Sequence, residues 1–210
     1  MIEYIYPNNI DDRVLRRADN ILQNDGLIAY PTDSSWAIGC SIKSKIAIDK
    51  LKRLKGGINS FTISLICSNI QQISDVALFS TSDFKIMKKL TPGPYVFILP
   101  ARKHIEKVIN MKRVEVGVRI PDHPVPQAIV NLHERPIFTI SASKKMNENN
   151  WWDSEYADDN LFESGWELED IEDVEMVIDC GEPLEKHLTT VLRLEDGSVE
   201  LVREGFKPWE

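Results

Sequence analysis

Short apolar runs, each closed by turn-forming residues and separated by segments of helical period, restrict this chain to a layered α/β fold. Gly26-Leu27-Ile28-Ala29-Tyr30, FTISLIC (61–67), YVFILPA (95–101), VEVGVRIP (114–121) and IFTISAS (137–143) have the length and the β-branched and aromatic content of strands. Between them lie helices. Asn9 reads as the cap of one whose Ile10, Val14, Leu15, Ala18, Ile21 and Leu22 share a face, stopped by Gly26. Ser44 caps a second, with Ile48, Leu51 and Leu54 on one side and Gly56-Gly57 as its stop. Ser82 to Leu90 is a third, and Pro124 starts a fourth with Val125, Ala128, Ile129 and Leu132 at i, i+3, i+4, i+7. The tail is strand-like again in MVIDCG, TTVLRLED and VELVREG, and Glu195-Asp196-Gly197-Ser198 is a hairpin turn. The reading is a mixed, open α/β sheet with flanking helices, in one domain over residues 1–210.

Charge is unevenly spread. The net charge of −8 hides a segment, residues 148–185, with 15 of the 33 acidic residues and no Lys or Arg, so that elsewhere 25 bases face 18 acids. A basic body suits phosphate-bearing partners better than the total suggests. The acidic stretch, an insertion at about 147–173, contains Trp151, Trp152 and Trp166. Aromatics are scarce in disordered segments, so the insertion is expected to pack its rings on the body. The three cysteines form no CxxC pair and the four histidines no HxxxH or HExxH spacing, which argues against disulfides and against a histidine metal site. No apolar stretch reaches the roughly 20 residues of a membrane span, and the first residues lack a signal pattern. A cytoplasmic protein without a membrane association is the expectation.

No GxxxxGK[ST], GxGxxG or GxSxG motif occurs, which disfavours the common NTPase, dinucleotide-binding and hydrolase designs. What the chain offers instead is hydroxyls and cations at strand ends. PTDSSWAIGC (31–40) follows an apolar strand with a hydroxyl-rich turn, and Lys52, Arg53, Lys55, Thr91, Arg119, Ser141, Ser143, Thr190 and Arg203 fall near other element ends. In open α/β sheets ligands collect at the carboxyl ends of strands. Phosphoryl transfer asks the protein chiefly for fixed donors and cations around the oxygens where charge moves.

Taken in order, these segments resemble the YrdC-domain family, in particular its YciO branch. PTDSSWAIGC is similar to the family's Pro-Thr-Asp opening, LKRLKGG to its basic helix end and TPGPYVFIL to its Thr-Pro-Gly-Pro turn. VGVRIPDHP, FTISAS, TTVLRL and VREG follow in the family's order. The resemblance implies a twisted sheet around a concave, positively charged groove. It also implies a nucleotidyltransferase that joins L-threonine, bicarbonate and ATP, with Mg²⁺, into threonylcarbamoyl-adenylate and pyrophosphate, for tRNA modification. It places Lys55, Arg119 and Ser141 in catalytic positions, facing carboxylate or phosphate. Thr32 and Ser35, with Arg53, Thr91, Ser143, Thr190 and Arg203, belong to substrate or nucleotide binding, and no protein-ligated metal is implied. Members have also been described as binding double-stranded RNA, so a second reading is an RNA- or tRNA-binding module without catalysis.

The chain departs from the synthases at two places. Their Lys-x-Arg pair is replaced by Lys55-Gly56-Gly57 or, with a shifted register, by Arg53-x-Lys55, and their Ser-x-Asn pair by Ser141-Ala142-Ser143. Losing one donor that meets transition-state charge removes about 3 kcal/mol, roughly a hundredfold in rate. The expectation is a weak or retuned synthase.

Overall fold

The structure, a computed structural model, describes residues 1–56, 64–110, 114–146, 148 and 157–209. The strands are β1 (Ile2–Tyr4), β2 (Leu27–Pro31), β3 (Trp36–Ser41), β4 (Ser64–Ile66), β5 (Tyr95–Pro100), β6 (Glu115–Arg119), β7 (Ile137–Ser141), β8 (Val174–Asp179), β9 (Thr190–Glu195) and β10 (Ser198–Arg203). The helices are α1 (Asp12–Gln23), α2 (Lys45–Leu54), α3 (Ile70–Val76), α4 (Thr81–Leu90), α5 (Lys103–Ile109) and α6 (Pro124–His133). Among the described residues the ten strands form one sheet, in the order β1-β8-β2-β3-β7-β4-β6-β5-β9-β10. Its pairings are mixed: β1, β2 and β8 run parallel, as do β4 with β6 and β5 with β9, while the remaining neighbours are antiparallel.

Side-chain alternation splits the core in two. Ile28, Tyr30, Ala37, Met176 and Ile178 pack with Val14, Ala18 and Leu22 of α1 and Val125, Ile129 and Val130 of α6. Leu27, Ala29, Trp36, Ile38 and Phe97 point the other way, against Ala47, Ile48 and Leu51 of α2 and apolar residues of α3, α4 and α5. A polar chain ties the first layer together: Ser41 Oγ meets His133 Nε2 at 3.0 Å, and His133 Nδ1 meets Asp19 Oδ1 at 2.7 Å, joining β3, α6 and α1.

Four details differ from the sequence reading. Asp11, not Asn9, caps α1, its carboxylate accepting from Arg13 N at 2.8 Å. Asn9 is held in an antiparallel bridge to Tyr6, so the helix starts only beyond it. In α6 the buried stripe passes through Val130 and His133, leaving Leu132 exposed, because the cleft beside α1 is filled by the His133 contact. The seven-residue helices α3 and α5 have no counterpart in the sequence reading. The insertion is anchored by Leu161, Phe162 and Leu168, and by the Trp36 indole donating to Glu163 O at 3.1 Å, whereas Trp166 is 68% exposed. Trp151 and Trp152, together with Gly57 and the first residues of FTISLIC, lie outside the described residues.

Hairpin chemistry, by contrast, is as read: Asp196 and Gly197 both have positive φ, 51° and 89°, in the two-residue turn between β9 and β10.

Candidate active site

The PTDSS segment is a four-residue hairpin loop: Pro31 and Trp36 are register partners, so Thr32 to Ser35 must reverse the chain. Thr32 folds it. Its hydroxyl accepts from Ser34 N and Ser35 N, each at 3.2 Å, and donates to Ser35 O at 2.7 Å. Ser35 is buried in the same turn. The loop thereby presents its next two side chains to a single partner, Arg119 at the end of β6.

Arg119 is 6% exposed. It donates through Nη1 to Ser34 Oγ at 3.0 Å, through Nε to Gly93 O at 3.4 Å, and through Nη2 to Asp33 Oδ1. One guanidinium thus joins the hairpin loop, the TPGP turn and β6. By register Arg119 lies level with Ile66 and Ile137, and hence with Ser41 at the far end of β3 from the loop. The contact therefore crosses from the β6 end of the sheet to the hairpin loop, a reach that strand twist assists. Burial pulls the guanidinium below its ordinary value, with the Asp33 charge opposing. His123, the cap of α6, feels both charges, and burial holds its imidazole below the usual range. Asp33 Oδ2 is buried and has no hydrogen-bond partner among the described residues. A lone buried carboxylate oxygen is uncommon and points to a ligand donor or water at that place.

The tail binds the loop from another direction. His187 N donates to Ser34 O at 2.9 Å and Thr190 N to Pro94 O at 3.0 Å, binding the entry to β9 to the loop and to the TPGP turn. Arg203 Nη2 holds the Thr189 carbonyl and hydroxyl, each at 2.9 Å. Lys55, the residue that ends α2, comes close enough to Arg203 for their charges to interact. Burial first, and then that like charge, brings its ammonium down to about 8.

The other residues singled out from sequence take different places. The Thr190 hydroxyl accepts from Gly205 N at 3.0 Å and donates to Lys207 O, fastening the C-terminal segment. Thr91 ends α4, its hydroxyl donating to Met87 O at 2.8 Å. Arg53 is two residues from Lys55 near a helix end, so it points elsewhere and pairs with Asp173 of the insertion at 3.0 Å. With Ser143 and Lys144 it lines a cavity of about 510 Å³ floored by Leu54, Met146, Phe162 and Ile171. Ser143 is 1% exposed and its hydroxyl accepts from Lys145 N at 3.1 Å. Ser141 is exposed at the end of β7, paired with Ala37 beside the hairpin loop. Lys52 is buried on the inner side of α2, its ammonium donating to Ile109 O of α5 at 3.3 Å. Asp33 escaped the sequence reading because an Asp in a Pro-Thr-Asp-Ser turn has a sufficient local role; only the long-range partner Arg119 distinguishes it.

A profile of the Sua5/YciO/YrdC family, described as "Telomere recombination", matches residues 20–205. The chain is 31% identical over 203 residues to the uncharacterized protein YciO of Escherichia coli K12, covering 96% of this chain and 94% of that one. It is 33% identical over 132 residues to a threonylcarbamoyl-AMP synthase of Psychromonas ingrahamii, 61% of this chain and 69% of that protein. The crystal structure of E. coli YciO superposes with a TM-score of 0.83 at 28% identity, covering 99% of this chain and 97% of the other. P. abyssi Sua5 complexed with L-threonine shares the fold, with a TM-score of 0.80 at 24% identity over 98% of this chain and 57% of that one.

Proposed function

Because the chain belongs to the Sua5/YciO/YrdC family, we propose that the residues around Lys55, Arg203 and the hairpin loop bind ATP and catalyse adenylate formation of the threonylcarbamoyl-AMP synthase type. The observation that carries this is the Lys55–Arg203 pair, two cations held together in a half-buried place where the Lys55 ammonium is down to about 8. Two neighbouring cations, one at the end of α2 and one at the end of β10, suit the oxygens of a triphosphate. Relatives named as threonylcarbamoyl-AMP synthases, and a Sua5 complexed with L-threonine, favour the same reading.

In the proposed reaction the threonine amine combines with bicarbonate to give a carbamate and water. A carbamate oxygen then attacks the α-phosphorus of ATP, and the bond to the pyrophosphate oxygen breaks. Lys55 and Arg203 balance charge gathering on the phosphates. Arg119 holds the hairpin loop against the TPGP turn, and Thr32 shapes that loop, so both position rather than react. Mg²⁺ enters as the companion of the triphosphate, bridging its oxygens as in phosphoryl transfer generally. Ser141 and Ser143 replace the synthases' Ser-x-Asn pair, which reduces the donors available and predicts slow turnover. The RNA-binding reading draws less support, since the exposed Arg53 is already paired with Asp173.

Pyrophosphate release from ATP in the presence of bicarbonate and L-threonine tests the proposal. A threonine-dependent signal that disappears in Lys55→Ala is expected; ATP binding with no amino-acid-dependent release would reject the synthase reaction.

A further inference from the structure

The most exposed large apolar side chains gather at one edge of the sheet. Among the described residues Met1, Tyr4, Tyr6, Ile46 and Trp166 are exposed by 60% or more, and all but Ile46 of α2 belong to β1, its flanks or the turn packed on its neighbour β8. Tyr4 and Asp179 are register partners in the parallel β1–β8 pair, so their side chains share a face of the sheet. On that face Gly165 meets the Asp179 carboxylate so closely that a Cβ there would lie 2.3 Å from Oδ2. The next residue, Trp166, is thereby set beside the end of β8. Its backbone is fixed: Glu167 Oε2 accepts from Glu163 N at 2.8 Å and Ser164 N at 3.0 Å, and Leu168 is fully buried, so the turn Gly165–Leu168 holds the Trp166 ring outward. The backbone of β1 is open as well. Val177 N donates to Met1 O and Ile5 N to Asp179 O, each at 2.8 Å. Because backbone groups alternate in direction along a strand, Met1, Glu3 and Ile5 face β8, and the N–H and C=O groups of Ile2 and Tyr4 point away from it, where no strand among the described residues pairs with them.

We propose that β1 is a docking edge for an extended, basic segment of another protein, which adds as a strand along Ile2 and Tyr4 and lays arginine or lysine side chains on Tyr4 and Trp166. Main-chain hydrogen bonds to the free groups of Ile2 and Tyr4 supply the pairing. The two exposed rings supply the side-chain contacts, and a cation over an indole or phenol face is attracted to it. Charge selects the partner. Residues 148–185 hold 15 acidic residues and no Lys or Arg. Of these, Glu169 and Asp170, directly after the Trp166 turn, and Glu182, just beyond β8, are exposed. A second copy of this chain is the poorer occupant, because antiparallel pairing about the centre of β1 sets Glu3 opposite Glu3 and brings two acidic segments together. In strand order β1 is the edge opposite β10, which carries Arg203, so this docking does not depend on the adenylate chemistry.

The test titrates the full chain with two fluorescein-labelled, end-capped peptides, one alternating arginine and valine and the other glutamate and valine, and follows anisotropy together with amide hydrogen exchange by NMR. The arginine peptide is expected to bind, to bind more weakly as salt is raised, and to slow exchange of the Ile2 and Tyr4 amides; the glutamate peptide should do none of these. Tyr4→Ala and Trp166→Ala should each weaken the arginine peptide roughly tenfold with thermal melts unchanged, since both side chains are exposed, and Trp166→Tyr should retain binding. No binding of the arginine peptide, equal binding of the glutamate peptide, binding that leaves the Ile2 and Tyr4 amides unprotected, or binding untouched by both alanine variants would each overturn the proposal. Dimerisation in sedimentation velocity that protects the same two amides would assign the edge to a second copy and overturn the basic partner.

Discussion

Replacing Lys55 by methionine should make the empty protein more stable while removing its affinity for phosphate. The ammonium falls from 10.5 to about 8 because burial and the Arg203 charge disfavour its protonated form. At about 1.4 kcal/mol per tenfold change in proton affinity, folding carries a penalty of roughly 3 kcal/mol wherever Lys55 is protonated in both states. That figure is a ceiling on the gain from Lys55→Met, which keeps the apolar stem and deletes the charge. For a chain of this size each kcal/mol raises Tm by about 2–4 °C. The pH dependence has a defined sign. Below about pH 8 the lysine is protonated folded and unfolded, and the variant's advantage is complete. Between about 8 and 10.5 the unfolded chain binds the proton and the folded one does not, so the wild type gains stability as pH rises and the advantage shrinks toward zero. Thermal melts of both proteins at pH 7, 9 and 10.5, without nucleotide, measure it. A variant that is less stable at pH 7, or whose advantage does not change with pH, would refute the reasoning. The same linkage makes triphosphate binding take up a proton near pH 8 and weaken above it.

Removing Arg119 should have the opposite effect: Arg119→Met leaves the Asp33 carboxylate buried without its cation and is expected to cost about 3–5 kcal/mol in urea unfolding. The Asp33→Asn/Arg119→Met double variant should recover part of that loss, and a single variant as stable as the double would contradict a buried pair. Asp173→Asn should change stability by less than about 1 kcal/mol, because its partner Arg53 is largely exposed. It should tighten triphosphate binding at low salt if the insertion screens the cations, and unchanged affinity would exclude that screening. Under native conditions Ellman's reagent should modify at most one thiol, Cys180, slowly, since burial and nearby carboxylates push it up to about 11. Cys40 and Cys67 are buried, with their thiols raised by burial, so two fast-reacting thiols would show that the core opens.

Local rules accounted for what local chemistry controls. The Ser44 cap of α2, whose hydroxyl accepts from Ala47 N at 2.9 Å, and the Asp196–Gly197 turn need only neighbours in the chain to form. The strands needed only short apolar runs and bounding turns to be legible, β2 and β3 being buried at every position. Helices α3 and α5, seven residues each, are too short to show a period and exist because Ile73, Val76, Ile105 and Ile109 fill the core beneath them.

The composition of the candidate site was therefore written in the chain, but its assignment of roles was not. Arg53, Lys55 and Arg119 are alike as cations in a sequence. Folding sends the first to Asp173 on the insertion, sets the second beside Arg203, and seals the third between Asp33, Ser34 and Gly93. Helix capping and hairpin turns act over a few residues and are visible in any short window of residues. A charge's solvation and partners depend on which segments the curled sheet brings together, and for Arg119 those segments lie 26 and 86 residues away.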